Sequence, residues 1–227
     1  MSFGARARAG TGNREQGMGA VRWLAALSLA AVVGGCSVLG GPKESVTIYA
    51  PLVRVAADPG WPQADWQLSI GQPNASRMTD GLRIAVRPTP GEMQVYKNAS
   101  WARRPSEQLQ DALLQVLEDS GRIGAVVRQG SGIAADYRLE LDLRRFEADY
   151  AGGAVPAATI EVNAKLVHAG DRAVVASRTF VRAVPASGTE VAVVAEAFGQ
   201  ALGAIASEIG GWTLGSGAAH EQAENAP

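Results

Sequence analysis

The sequence holds one cysteine, Cys36, and two histidines, His168 and His220, in 227 residues. A lone cysteine excludes an internal disulfide. Neither histidine stands in a His-Glu-x-x-His zinc helix, and there is no Gly-x-Ser-x-Gly nucleophile elbow and no phosphate-binding P-loop. Aromatic residues make up only 6%, so the core is expected from Val, Leu, Ile and Ala. The formal net charge is −1. Without a basic surplus, nucleic acid is not an expected partner. Beyond residue 35, no second apolar run is long enough to span a bilayer, which takes roughly 20 residues.

One apolar run is present near the start. Trp23 to Val33 carries no charge, follows Arg22, and leads into Gly34-Gly35-Cys36. It has the length of a signal-peptide apolar core and is too short to cross a membrane. Small residues followed directly by a thiol resemble a bacterial lipobox, in which the thiol is acylated and the chain is cut just before it. On that reading, residues 1–35 are a lipoprotein signal peptide and Cys36 is the lipid-bearing N-terminus. The alternatives are a signal peptide with a chance cysteine, or a free buried thiol. Met18 offers a second start, with Met-Gly-Ala-Val-Arg as a compact basic leader. One acyl chain holds only marginally, whereas the several chains of a bacterial lipoprotein anchor firmly. Ser37 follows the cysteine. An Asp there would suggest retention at the inner membrane, so Ser points to the periplasmic face of the outer membrane.

Residues 1–35 contain Arg6, Arg8, Arg14, Arg22 and Glu15, so 17 of 21 basic and 21 of 22 acidic residues remain after cleavage. The remaining 192 residues suit one domain. Residues 36–45 read as a tether, and 46–212 as the domain. The polar, small-residue stretch 213–227 reads as a disordered tail.

Within the domain, Val46–Ala50, Trp66–Ile70, Leu82–Val86, Met93–Tyr96 and Ile123–Val127 read as strands. Tyr137, Leu139, Leu141 and Leu143 alternate with Arg138, Glu140, Asp142 and Arg144, and the phase slips at Arg144-Arg145, which predicts a bulge. Ile160–Leu166 and Ala173–Val184 read as a hairpin about Gly170-Asp171. Pro105 opens an amphipathic helix over 105–120 that Gly121 ends. Val191, Val194, Ala195, Phe198, Ala201, Leu202, Ile205 and Ile209 form the stripe of a second helix, with Thr189 as its N-cap and Gly210-Gly211 as its stop. The expected fold is a two-layer α+β domain, with a mainly antiparallel sheet and two amphipathic helices packed on one face.

The chemistry-bearing candidates are few. Glu140 and Asp142 share one face of a strand, as paired catalytic carboxylates do, but Arg138 and Arg144 flank them, so ion pairs on a wet sheet are the simpler account. Gly130-Ser-Gly132 precedes a strand rather than a helix, so it is read as a turn and not a dinucleotide site. The sequence therefore points to no catalytic residue, no metal site and no cofactor. Trp61, Trp66, Trp101 and Trp212 read as plugs at domain edges or as contacts to lipid or a partner. Arg138, Glu140, Asp142, Arg144 and Trp101 are the candidate partner-contact residues.

The stretch Tyr96-Lys-Asn-Ala-Ser-Trp101-Ala-x-x-Pro105, with Leu109, Leu113 and Leu117-Glu-x-Ser-Gly121, resembles the central motif of the ABC-type transport auxiliary lipoproteins. Asp80-Gly81-Leu-Arg-Ile84 upstream, Ala135-Asp136-Tyr-x-Leu139 with Phe146 downstream, and a closing helix ending at Trp212 also fit. Ile123 departs from the Phe expected there. The resemblance covers about residues 46–212. It implies a non-enzymatic outer-membrane lipoprotein, with a mammalian-cell-entry (MCE) domain protein and ABC transporter components as partners. It also implies a role in moving lipid or other hydrophobic substrates across the periplasm, and a possible homo-oligomer. Two other readings remain: a lipopolysaccharide-export or outer-membrane assembly lipoprotein, and a periplasmic lipid or peptidoglycan hydrolase. The hydrolase requires Glu140, Asp142 and His168 to converge in one cleft.

Overall fold

In the computed structural model, residues 45–226 are described; the expected signal peptide, Cys36 and most of the expected tether lie outside them. Nine strands form one sheet: β1 (Thr47–Tyr49), β2 (Ala64–Ile70), β3 (Asn74–Ala75), β4 (Arg83–Arg87), β5 (Gln94–Trp101), β6 (Ile123–Arg128), β7 (Tyr137–Asp149), β8 (Ala157–His168) and β9 (Val174–Pro185). Two helices complete the domain, α1 (Pro105–Ser120) and α2 (Val191–Glu224).

The organising strand is β7. Along one edge it pairs antiparallel with β8, and β8 with β9. Along the other edge three strands share it, all parallel: β2 at Tyr137–Leu139, β3 at Asp142–Leu143 and β4 at Ala148–Asp149. β2 carries β6, while β4 carries β5 and then β1. The sheet thus forks along β7. The register shift between Leu143 and Arg145 is the expected bulge. It falls between the two wings, where the extra residue lets the strand bend and twist from one wing to the other.

The mainly antiparallel expectation is corrected to a mixed sheet. The long β7–β8–β9 ladders are antiparallel, but five of the eight pairings are parallel. The β8–β9 hairpin is dictated by its short turn. The short strands reach β7 only through long connections that leave no local mark in the sequence.

Helix α1 matches its expected bounds. Pro105 occupies its first turn, and Gly121 takes the left-handed conformation at φ +60° that closes it. Leu109, Leu113, Val116 and Leu117 are fully buried. Helix α2 differs from expectation in two ways. Its N-cap is Glu190 rather than Thr189, and it runs on through Gly210-Gly211 to Glu224. Residues 213–224 are therefore helical, not a disordered tail, and Thr213 and Leu214 are fully buried. A mid-helix glycine costs about 1 kcal/mol relative to alanine. Here packing outweighs that cost. A methyl on Gly211 would lie 2.5 Å from the Trp61 indole nitrogen, and one on Gly217 would enter the Trp66 ring. These glycines are seats for indole rings.

The same logic holds one end of α2 to the stretch 52–56, which precedes the turn at 59–61. Leu52 and Arg54 press their carbonyls against Gly199 and Gly203, and the Ser207 hydroxyl donates to the Ala56 carbonyl at 2.7 Å. Two residues of extended chain rise about 6.6 Å and four residues of helix rise about 6 Å. The stretch therefore keeps step with one helix turn. By length and composition α2 could cross a membrane, contrary to expectation, but 61% of its apolar window is buried within the domain, and its apolar face is accounted for as core.

Candidate functional site

The outer face of β7 and β8 carries the charged residues singled out in the sequence. Arg138 bridges Glu140 at 2.7 Å, and Arg144 reaches Asp142 at 3.4 Å and Glu161 at 3.7 Å. Asn74 on β3 donates to Asp142 at 3.2 Å. Glu140 stands opposite Lys165 in the ladder, and Asp142 opposite Asn163. Each exposed pair contributes only about 0.2–1 kcal/mol, so the row contributes little to stability. Its charges remain available to a partner.

Past the bulge the character of this face changes. Glu147 is 3% exposed. Arg87 grips it with two bonds, 2.7 and 3.2 Å, and Arg145 adds a third at 2.8 Å while also holding Asp149 at 2.5 Å. The hydrogen bond to Glu147 raises the Arg87 pKa. This buried carboxylate between two guanidinium groups ties β4 to β7 at the end of the fork. Tyr96 lies nearby in chain order on β5. Its hydroxyl is buried beside Tyr150 without a well-formed hydrogen bond, and burial raises its pKa.

Trp101 is not part of a contact surface, contrary to the sequence reading. It is 2% exposed and packs edge-on against Phe146 and Phe198, centroids 5.9 and 5.1 Å away, while those two rings stack at 4.7 Å. The Trp–Ala–x–x–Pro motif places the indole in the core just before α1. Trp212 likewise packs on Phe180, at 5.5 Å.

Glu140, Asp142 and His168 do not converge. Glu140 and Asp142 line a polar concavity of about 410 Å³ with Gln72, Asn74 and Lys165, at the point where the sheet forks. His168 lies at the far end of β8 and lines other concavities. The trio that a hydrolase needs is not assembled. Gly130 and Gly132 have φ of +88° and +80°, as a turn rather than a helix start requires.

The structure brings together one group that the sequence reading kept apart. Because α2 continues past Gly211, His220 reaches the end of β7 and β8. Its ring centroid lies 5.2 Å from that of His168, and both rings pack against Tyr137. The Tyr137 hydroxyl bonds His220 Nδ1 at 2.8 Å and Glu221 Oε1 at 2.7 Å. Burial, then the bond to Glu221, raises the Tyr137 pKa. The available signal was the spacing of Leu214, Gly217, His220 and Glu221, which continues the helical period past the glycines.

Comparison with known proteins agrees with this architecture. The crystal structure of protein XCC0632 from Xanthomonas campestris is 54% identical, with a TM-score of 0.75, covering 78% of this chain and 99% of that one. A crystal structure of an uncharacterized protein, 18% identical with a TM-score of 0.57, covers 73% of this chain and 97% of its own, and shares the fold. A protein of Bradyrhizobium diazoefficiens is 27% identical over 185 residues, 78% of this chain. The chain spans about half of that relative's length, 49%. The model of the ABC-type transport auxiliary lipoprotein component matches residues 47–210, from β1 into α2. The chain belongs to the ABC-type transport auxiliary lipoprotein family.

Proposed function

We propose that this protein is a non-catalytic docking component, held by acyl chains on Cys36 at the periplasmic face of the outer membrane. It joins an ABC transporter and its MCE-domain protein in moving lipid or another hydrophobic substrate across the periplasm. The observation that carries the reading is the family match over 47–210. Two features of the domain support it. The β7 face presents Arg138, Glu140, Asp142 and Arg144 as a patterned, exposed charge row, a surface that sets partner choice rather than stability. At the start of the domain, Val46, Ile48 and Leu52 are 56%, 68% and 76% exposed, apolar side chains that a membrane or a partner could cover.

The test is affinity capture of the native lipidated protein from detergent-solubilised envelopes. Recovery of an MCE-domain protein with its permease and ATPase is expected, and the R138E/R144E variant should lose it without loss of folding. Capture that recovers no transport component, under conditions that keep the transporter itself intact, contradicts the proposal.

A further inference from the structure

His168, His220 and Glu224 bring one ligand atom each, two imidazole nitrogens and a carboxylate oxygen, to within 4.8 Å of one another. We propose that they form a binding site for a divalent transition-metal ion of the zinc class. The site lies at the opposite end of β7 from the Glu147 cluster and does not depend on the docking role proposed above.

The hydrogen-bond network prepares both imidazoles. The Tyr137 hydroxyl has one proton and gives it to Glu221 Oε1 at 2.7 Å. His220 Nδ1, 2.8 Å from the same oxygen, must then be the donor, which leaves the Nε2 lone pair free. His168 Nδ1 lies 3.1 Å from Asp171 Oδ1, an acceptor when ionised, so the same tautomer holds. A carboxylate or other polar partner behind the imidazole is the arrangement that orients metal-binding histidines.

The placement of the third ligand follows from the helix. His220 and Glu224 are four residues apart on α2 and so share one face. Ligands on tetrahedral zinc, with bonds of about 2.0–2.1 Å, stand about 3.4 Å apart. The closure needed is small, and Glu224 is exposed and able to rotate. Asp65, Asp136, Glu221 and Glu224 line one concavity of about 640 Å³ with His168, and no Lys or Arg is among its lining residues. The local field therefore favours a cation, and the mixed imidazole–carboxylate set suits zinc, copper or nickel over calcium or magnesium. Three protein ligands leave a position for water or a partner's side chain. Bound metal would clamp the last turns of α2 to the end of β8.

The experiment is calorimetric titration of ZnCl2 into the metal-stripped, full-length protein in detergent at neutral pH, without a polyhistidine tag. A second reading uses Co2+, whose visible bands report tetrahedral geometry. One Zn2+ per chain is expected. H168A and H220A should each weaken binding by about tenfold or more. The exposed substitution E224Q, which leaves the Tyr137 contacts in place, should also weaken it. Zn2+ should raise the melting temperature of the parent, since a ligand that binds only the folded state stabilises it, and should not do so for H220A. Absence of saturable binding up to millimolar Zn2+, or binding unchanged by both E224Q and H168A, overturns the proposal and leaves two histidines packed against Tyr137.

Discussion

Replacing Gly203 with alanine should destabilise the domain, and replacing Gly215 should stabilise it, although both lie in the same helix. In an exposed helix interior, Gly→Ala gains about 1 kcal/mol. Gly215 is exposed, and an added methyl meets nothing within 4 Å, so the full gain is expected there, a rise of about 2–4 °C in melting temperature. At Gly203 the methyl would lie 3.1 Å from the Arg54 carbonyl carbon and overlap its oxygen. The stretch 52–56 must move away. Such overpacking costs about 1–3 kcal/mol, and loss of the Ser207–Ala56 hydrogen bond adds about 1 kcal/mol. Less the propensity gain, the net loss is about 1–3 kcal/mol, or a fall of roughly 2–12 °C. Urea unfolding followed by far-UV circular dichroism measures both variants. A Gly203→Ala protein as stable as Gly215→Ala would refute the view that Gly203 is a contact surface for the Arg54 backbone.

Trp101→Ala should cost about 3–5 kcal/mol in the same assay, as large-to-small changes in a core do; a surface role for the indole would leave stability unchanged. Glu147→Ala leaves Arg87 and Arg145 facing a buried gap and should cost about 2–3 kcal/mol, less than the figure for a fully enclosed pair because the guanidinium groups are partly solvated. Tyr96 has a raised pKa because the phenol is buried. Its contribution to stability is full below the unfolded value, about 10, and is lost as pH rises toward the higher folded value. Stability should therefore fall on the alkaline side above about pH 10, and Tyr96→Phe should shallow that slope.

The parts of the fold that are local could be read from the sequence. Pro105 and Gly121 bracket α1, the slip at Arg144-Arg145 marks the bulge, and Gly170-Asp171 marks the β8–β9 turn. The missing parts depend on distant partners. Gly210-Gly211 looks like a helix stop until Trp61 is placed against it, and that contact spans about the whole domain in sequence. With a stop at Gly211, His220 falls in a tail; only the continued helix carries it to His168 and Tyr137. For Trp101 the sequence leaves two readings, plug or partner contact, and the strand–helix junction decides for the first by turning the indole inward onto Phe146 and Phe198. The exposure of Arg138, Glu140, Asp142 and Arg144 followed directly from strand alternation.

The most direct measurement of the docking role is photo-crosslinking in living cells, with a photoreactive amino acid replacing Glu140 on the β7 face or, as control, the exposed Gly215 on α2. A covalent adduct between the Glu140-substituted protein and an MCE-domain or permease subunit, absent from the control, is the expected result. Adducts at neither position, with the protein present at normal abundance, would contradict it.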